Sequence, residues 1–143
     1  MAKRILVPLS GREGAEAVLP VVADVARSAG ATVRLLRVAP YPQMRTGAYG
    51  RVVAYVDQET NRLEGESQSY LRDVEARLDG VAVERRVTFG DPADEIVHEA
   101  EVFNADLVAM ATPKPRWFAS WLSGGVARHV SRRASAPVIL LFG

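Results

Sequence analysis

Val81–Ala111 reads VAVERRVTFGDPADEIVHEAEVFNADLVAMA, and its division into elements decides the fold. Val81, Val83 and, less cleanly, Val87 alternate with charged residues up to Phe89, the pattern of a half-exposed strand near a sheet edge. Gly90-Asp91-Pro92 then opens a helix, with Asp91 as N-cap and Pro92 at the first helical position, where its missing N–H costs nothing. Ala93, Ile96, Val97, Ala100 and Phe103 recur at helical spacing and face inward. Ala105–Ala111 (ADLVAMA) is apolar enough for a strand buried on both faces. Strand, helix, strand within one short stretch is the unit of a parallel sheet.

The same alternation extends outward. Ile5–Leu9 is a buried strand ending in a Pro-Leu-Ser-Gly turn. From Glu13 to Ala29, the residues Ala15, Val18, Leu19, Val22, Val25, Ala26 and Ala29 mark one helical face, and Gly30 stops it. Pro20 cannot bond the Glu16 carbonyl, which predicts a kink or a late start. Thr32–Ala39 is a second strand. Pro40–Val56, with two Pro, two Gly and three Tyr, shows no clean period and reads as a long loop. A helix over about 57–78 carries Leu63, Tyr70, Leu71, Val74 and Leu78 on one side. After the opening stretch come a helix over about 123–134 and a last strand, Pro137–Phe142. The economical reading is one domain over residues 1–143, without repeats or linkers.

Composition narrows the function. Hydrophobic residues make up 48% of the 143, enough for an ordinary core. The net charge is +1 with acids and bases interspersed, which argues against a nucleic-acid surface. The absence of cysteine excludes disulfides and thiolate metal sites. No apolar run is long enough to span a bilayer, and the expected location is cytoplasmic, with no membrane partner.

In open parallel sheets, ligands sit beyond the carboxyl ends of the strands, where the strand order reverses. With the first strand central, Val7–Gly11 and Met110–Thr112 meet there, and Val38-Ala39 forms a wall. Periodicity alone does not give the strand order on which this placement depends.

At these residues the chain resembles the universal stress protein family. ILVPLSG, TVRLLRVAP, the long second connection, VTFGDPADEIVHEA, ADLVAMAT, SGGVARHV and SAPVILL come in the family's order and spacing. The resemblance implies an open, twisted, five-stranded parallel sheet of order 3-2-1-4-5 with helices on both faces. This is a Rossmann-like, adenine nucleotide alpha hydrolase-like α/β fold. It also implies a homodimer through the last strand.

Many members bind ATP through a loop of the form G-x-x-G-x9-G-[ST] after the fourth strand. Laid on this chain, the first glycine falls on Ala111, the second on Lys114, the third on Gly124, and the hydroxyl residue on Gly125. The family's usual Asp after the first strand falls on Ser10. By resemblance, Pro8, Leu9, Ser10 and Val38 flank base and ribose. Met110, Ala111 and Thr112 line the sugar side, and Gly124, Gly125 and Val126 meet the phosphates.

The departures have a physical meaning. A loop holds phosphate by aiming backbone N–H groups at it. Pro113 and Pro115 have none, and they push Thr112 and Lys114 toward extended geometry. A left-handed backbone at Lys114 would cost about 1–2 kcal/mol more than glycine. Ser123, Gly124 and Gly125 still offer a cap and N–H groups at the start of the last helix. Lys114, Arg116 and Arg128 add charge there. The same Ser-Gly-Gly is also an ordinary tight turn, and loop cations are usually solvated.

Other features have plain explanations. Trp117, Phe118 and Trp121 either pack the connection onto the domain or present a partner surface. His98, on the polar side of its helix with Glu95, Glu99 and Glu101, and His129, beside Arg128, read as surface residues. No metal-ligand set or catalytic constellation stands out. Glu64, Glu66, Asp73 and Glu75 mix with Arg62, Arg72 and Arg77 as helical charge pairs. Tyr41, Tyr49 and Tyr55 either cover a ligand or pin the loop. The apolar Val138–Phe142 at a sheet edge would be satisfied by a symmetry mate.

Three functions are compatible with this sequence. The first is a dimeric, non-catalytic stress-response or regulatory module with weakened or lost ATP binding and an unknown protein partner. The second is a switch that still holds ATP or another adenine nucleotide. The third is a phosphate hydrolase, which ranks last because neither a base nor an acidic metal cluster is evident.

Overall fold

The computed structural model describes residues 3–11, 15–41, 49–112 and 126–142. Five parallel strands form one sheet: β1 (Arg4–Pro8), β2 (Thr32–Ala39), β3 (Ala82–Phe89), β4 (Leu107–Thr112) and β5 (Val138–Phe142). Among the described residues, four α-helices connect them: α1 (Leu19–Ala29), α2 (Tyr49–Glu75), α3 (Pro92–Phe103) and α4 (Val126–Arg133). The strand order is β3-β2-β1-β4-β5, as the resemblance implies.

The two faces of the sheet bury different helices. Ile5, Val7 and Leu9 of the first strand and its turn, with Val33 and Leu35 of β2, pack on Leu19, Val22, Ala23 and Ala26 of α1 and on Leu71 and Val74 of α2. On the other face Leu6, Leu36, Val38, Val108 and Met110 meet Ala93, Ile96, Ala100 and Phe103 of α3 and Val130 of α4. Successive side chains alternate between faces, so strands covered on both sides are apolar nearly throughout. β3 is an outer strand, which is why its side chains are mostly exposed or half-buried.

Pro20 produces the late start. A 3₁₀ turn over Ala15–Val18 precedes α1, which begins at Leu19. Pro20 thus lies in the first helical turn, where backbone N–H groups have no intrahelical partner to lose. At α3 the Asp91 carboxylate accepts the Asp94 amide at 3.1 Å, with Pro92 first in the helix as expected. Asn104 closes that helix with a left-handed backbone (φ 57°), and its amide reaches the Ala100 and Glu101 carbonyls. Asn serves there as glycine more often does.

Three expectations need correction. The loop assigned to 40–56 is shorter, because the chain is helical from Tyr49. A helix that is already nucleated extends at little cost per residue, so α2 runs back through a segment with no clear period of its own. Glu99 does not lie on a solvated face: it is 2% exposed. Three residues after Ile96 and four before Phe103, it falls inside the apolar stripe. Its carboxylate meets Arg34 of β2 and Arg86 of β3, each at 3.3 Å. The Arg34 guanidinium lies 4.3 Å from the Phe103 ring centroid and pairs with Glu84 at 2.9 Å.

The charge pairs of α2 are only partly internal. Arg62 pairs with Glu59 and Glu66 at helical spacing, whereas Glu75 meets Arg85 of β3 and Arg77 meets Glu16.

Candidate functional site

β1 is hydrogen-bonded to β2 on one side and β4 on the other. The helix that follows β1, α1, packs on one face of the sheet, and Val130 of α4, the described helix that follows β4, packs on the opposite face. The carboxyl ends of β1 and β4 therefore open between diverging connections, the geometry that makes a crevice.

The structure brings the β1 and β4 residues together at this end. Pro8 ends β1 and is buried, and Leu9, 2% exposed, carries the ladder one step further by donating its amide to the Leu36 carbonyl at 2.8 Å. Ser10 lies at the exposed rim. Gly11 turns the chain with φ +76°, a left-handed backbone that suits glycine. Met110 is buried, Ala111 is half-buried, and Thr112 is the last residue of β4. Val38 of β2 is buried near the same end, on the face of α3, where it packs in the core.

Val126 is the first residue given for α4 and is half-exposed. Lys114, Gly124 and Gly125 lie outside the described residues, as do Pro113, Pro115, Arg116, Trp117, Phe118, Trp121 and Ser123.

Two residues that the sequence did not single out border the crevice. Arg37 of β2 donates from a terminal guanidinium nitrogen to the Val38 carbonyl at 2.5 Å. Tyr70 of α2 has its hydroxyl buried without a hydrogen-bond partner among the described residues. Burial raises the Tyr70 phenol above its ordinary pKa, and the Glu16 carboxylate adds to this. Arg37, Arg77 and the Gly11 backbone pull the other way. The Tyr70 hydroxyl was hidden in the sequence because its ring belongs to the apolar side of α2. Arg37 stands in an otherwise apolar run, TVRLLRVA, and that interruption was the available signal.

Tyr41 stacks on Phe89 of β3, with ring centroids 6.3 Å apart, so it pins the connection after β2 to the end of β3. Tyr49 and Tyr55 lie on α2, not in a loop. Both histidines, His98 and His129, are exposed. Among the described residues, no three acidic or histidine side chains are grouped to hold a metal ion. No described helix is long and apolar enough to cross a membrane. A groove of about 380 Å³ runs between α1 and the end of α2, lined by Leu19, Pro20, Ala23, Arg27, Arg77 and Leu78 among others. It lies along the helices rather than at the strand ends.

This architecture has relatives. The model of the universal stress protein family matches residues 1–141. The chain belongs to the universal stress protein family. Universal stress protein Rv1636 of Mycobacterium tuberculosis is 28% identical over a 136-residue alignment that covers 92% of this chain and 92% of that one. Among solved structures, hypothetical protein MJ0577 is 25% identical, with a TM-score of 0.82 over 100% of this chain and 97% of that one. A universal stress protein from Archaeoglobus fulgidus, solved in complex with dAMP, shares the fold at 22% identity. Its TM-score is 0.63 over 98% of this chain and 97% of its own. The strand order is thus that of a universal stress protein.

Proposed function

We propose that this chain is a dimeric, non-catalytic regulatory module of the stress response, one universal stress protein domain over residues 1–143, with weakened or lost ATP binding. The observation that carries this reading is Pro113-Lys114-Pro115. Two of the residues that follow β4 lack the amide hydrogen with which a phosphate loop works. The Gly124-Gly125 pair and Lys114 retain some anion affinity, and Ser10 in place of a carboxylate offers ribose a single hydroxyl.

The homodimer would form through β5. It is an outer strand, and its Ile139 is 37% exposed. Pairing with a second copy would satisfy the free edge and cover that side chain. Trp117, Phe118 and Trp121 are the proposed surface for a protein partner.

A second reading is favoured by the Archaeoglobus fulgidus relative in complex with dAMP. The crevice here would hold an adenine nucleotide and act as a switch. Pro8, Leu9, Ser10 and Val38 would flank base and ribose. Met110, Ala111 and Thr112 would line the sugar side, and Gly124, Gly125 and Val126 the phosphates.

Melting curves with and without millimolar ATP separate the two, because a ligand bound only by the folded state must raise stability. An unmoved melting temperature supports the first reading, and a rise of several degrees supports the switch. Sedimentation of the intact chain tests the dimer, which Ile139→Lys should split.

A further inference from the structure

Arg27 of α1 does not pair with the acid one turn before it. Its Nε donates instead to the Asp79 carbonyl at 2.9 Å, across the groove between α1 and the end of α2. Asp and Arg three residues apart on a helix are neighbours that readily pair. Here Asp24 makes no hydrogen bond or ion pair among the described residues, and the terminal nitrogens of Arg27 make none either. Both residues are exposed and both line the groove. The other cation of the groove, Arg77, is already matched by Glu16. The floor beside these charges is apolar. Leu19, Ala23 and Leu78 belong to the core beneath it, and Pro20 is exposed at its rim. The volume of about 380 Å³ falls within the range of small-molecule sites.

We propose that this groove binds a free α-amino acid with an apolar side chain, at a site separate from the crevice at the strand ends. The Arg27 fork takes the carboxylate through its two Nη groups, and the Asp24 carboxylate takes the ammonium. The side chain lies on Pro20 and covers Leu19, Ala23 and Leu78. A simple anion would satisfy Arg27 but set its charge against Asp24, and a simple amine would do the reverse. A zwitterion answers both, because the two residues stand only about 4.5 Å apart along the helix axis. A single exposed ion pair contributes little, so binding needs both charges together with the apolar floor.

NMR titration of the intact protein with L-leucine, isocaproate, isopentylamine and glycine tests this. Leucine should saturate with a Kd on the order of 1 mM and shift the amides of α1 and the end of α2. Isocaproate lacks the ammonium and isopentylamine the carboxylate. Each should bind about tenfold more weakly, the lower range for a hydrogen bond to a charged group. Glycine, without the apolar body, should bind about fivefold more weakly. Asp24→Asn should weaken leucine about tenfold while isocaproate binds no worse. Arg27→Gln should weaken leucine by a similar factor while isopentylamine is unaffected. Ligand-free melting checks that each variant folds, and Asp24→Asn, at an exposed position, carries the test if Arg27→Gln does not fold. Failure of leucine to saturate the protein at tens of millimolar overturns the site. Equal affinity for leucine and isocaproate, glycine bound as tightly as leucine, or leucine binding that survives Asp24→Asn unchanged overturns it too.

Discussion

The Glu99 carboxylate, 2% exposed, lies 3.3 Å from the Arg34 guanidinium. This pair ties α3 to β2 beneath Arg86, which meets the other carboxylate oxygen at 3.3 Å. A carboxylate so far from water is tolerable only because two cations and the edge of the Phe103 stack compensate it.

Removing one side of that arrangement should show how the burden is shared. Glu99→Ala leaves Arg34 without its buried partner and opens a hole beside Phe103, and should cost about 3 kcal/mol in urea unfolding. Arg86→Ala should cost under about 1 kcal/mol, because Arg86 is 57% exposed and the pair it makes is half solvated. Equal losses from the two variants would mean that the buried pair is not the anchor.

Two glycines give opposite predictions. Gly65 lies on an exposed face of α2, and a β-carbon there would meet nothing within 4 Å. Gly65→Ala should therefore stabilise the protein by about 1 kcal/mol through helix propensity alone. Gly11 is left-handed at φ +76°, and Gly11→Ala should destabilise by about 1–2 kcal/mol although space is available. Thermal melting of the two variants checks both signs.

Tyr70 carries a buried hydroxyl without a hydrogen-bond partner among the described residues. Tyr70→Phe removes that unsatisfied group and should raise stability at neutral pH by about 1 kcal/mol. Because burial raises the phenol pKa in the folded state, the unfolded chain releases this proton first. The wild type should then lose stability as pH rises from the ordinary tyrosine value through the raised folded value, with no change below it. In Tyr70→Phe this alkaline slope should be shallower, as measured by unfolding at a series of pH values.

Glycines restored at positions 113, 114 and 115 should improve ATP affinity about tenfold, since two backbone donors return and the left-handed backbone becomes accessible. Fluorescent ATP-analogue titration measures it. No gain would mean that the crevice serves another ligand.

The order and kind of the elements were legible in the sequence. Each element buries one face or two, and burial writes a period into its own residues: Ala93, Ile96, Val97, Ala100 and Phe103 mark α3, and ADLVAMA marks β4. The Asp91-Pro92 start of α3 was equally plain, because a cap is chemistry between neighbours. The start of α2 was not, since Tyr49–Val56 shows no period and is helical as the extension of the segment after it. The family resemblance supplied the strand order, which no local pattern contains. Only the tertiary structure decided which polar groups meet. Arg34 and Glu99 are 65 residues apart, and their contact exists because β2 and α3 pack on one face. Arg37 could be read as an interruption, but its hold on the Val38 carbonyl depends on β1 ending one step short of it. Periodicity reports which side of an element is buried; the partner waiting there is set by how distant segments cross.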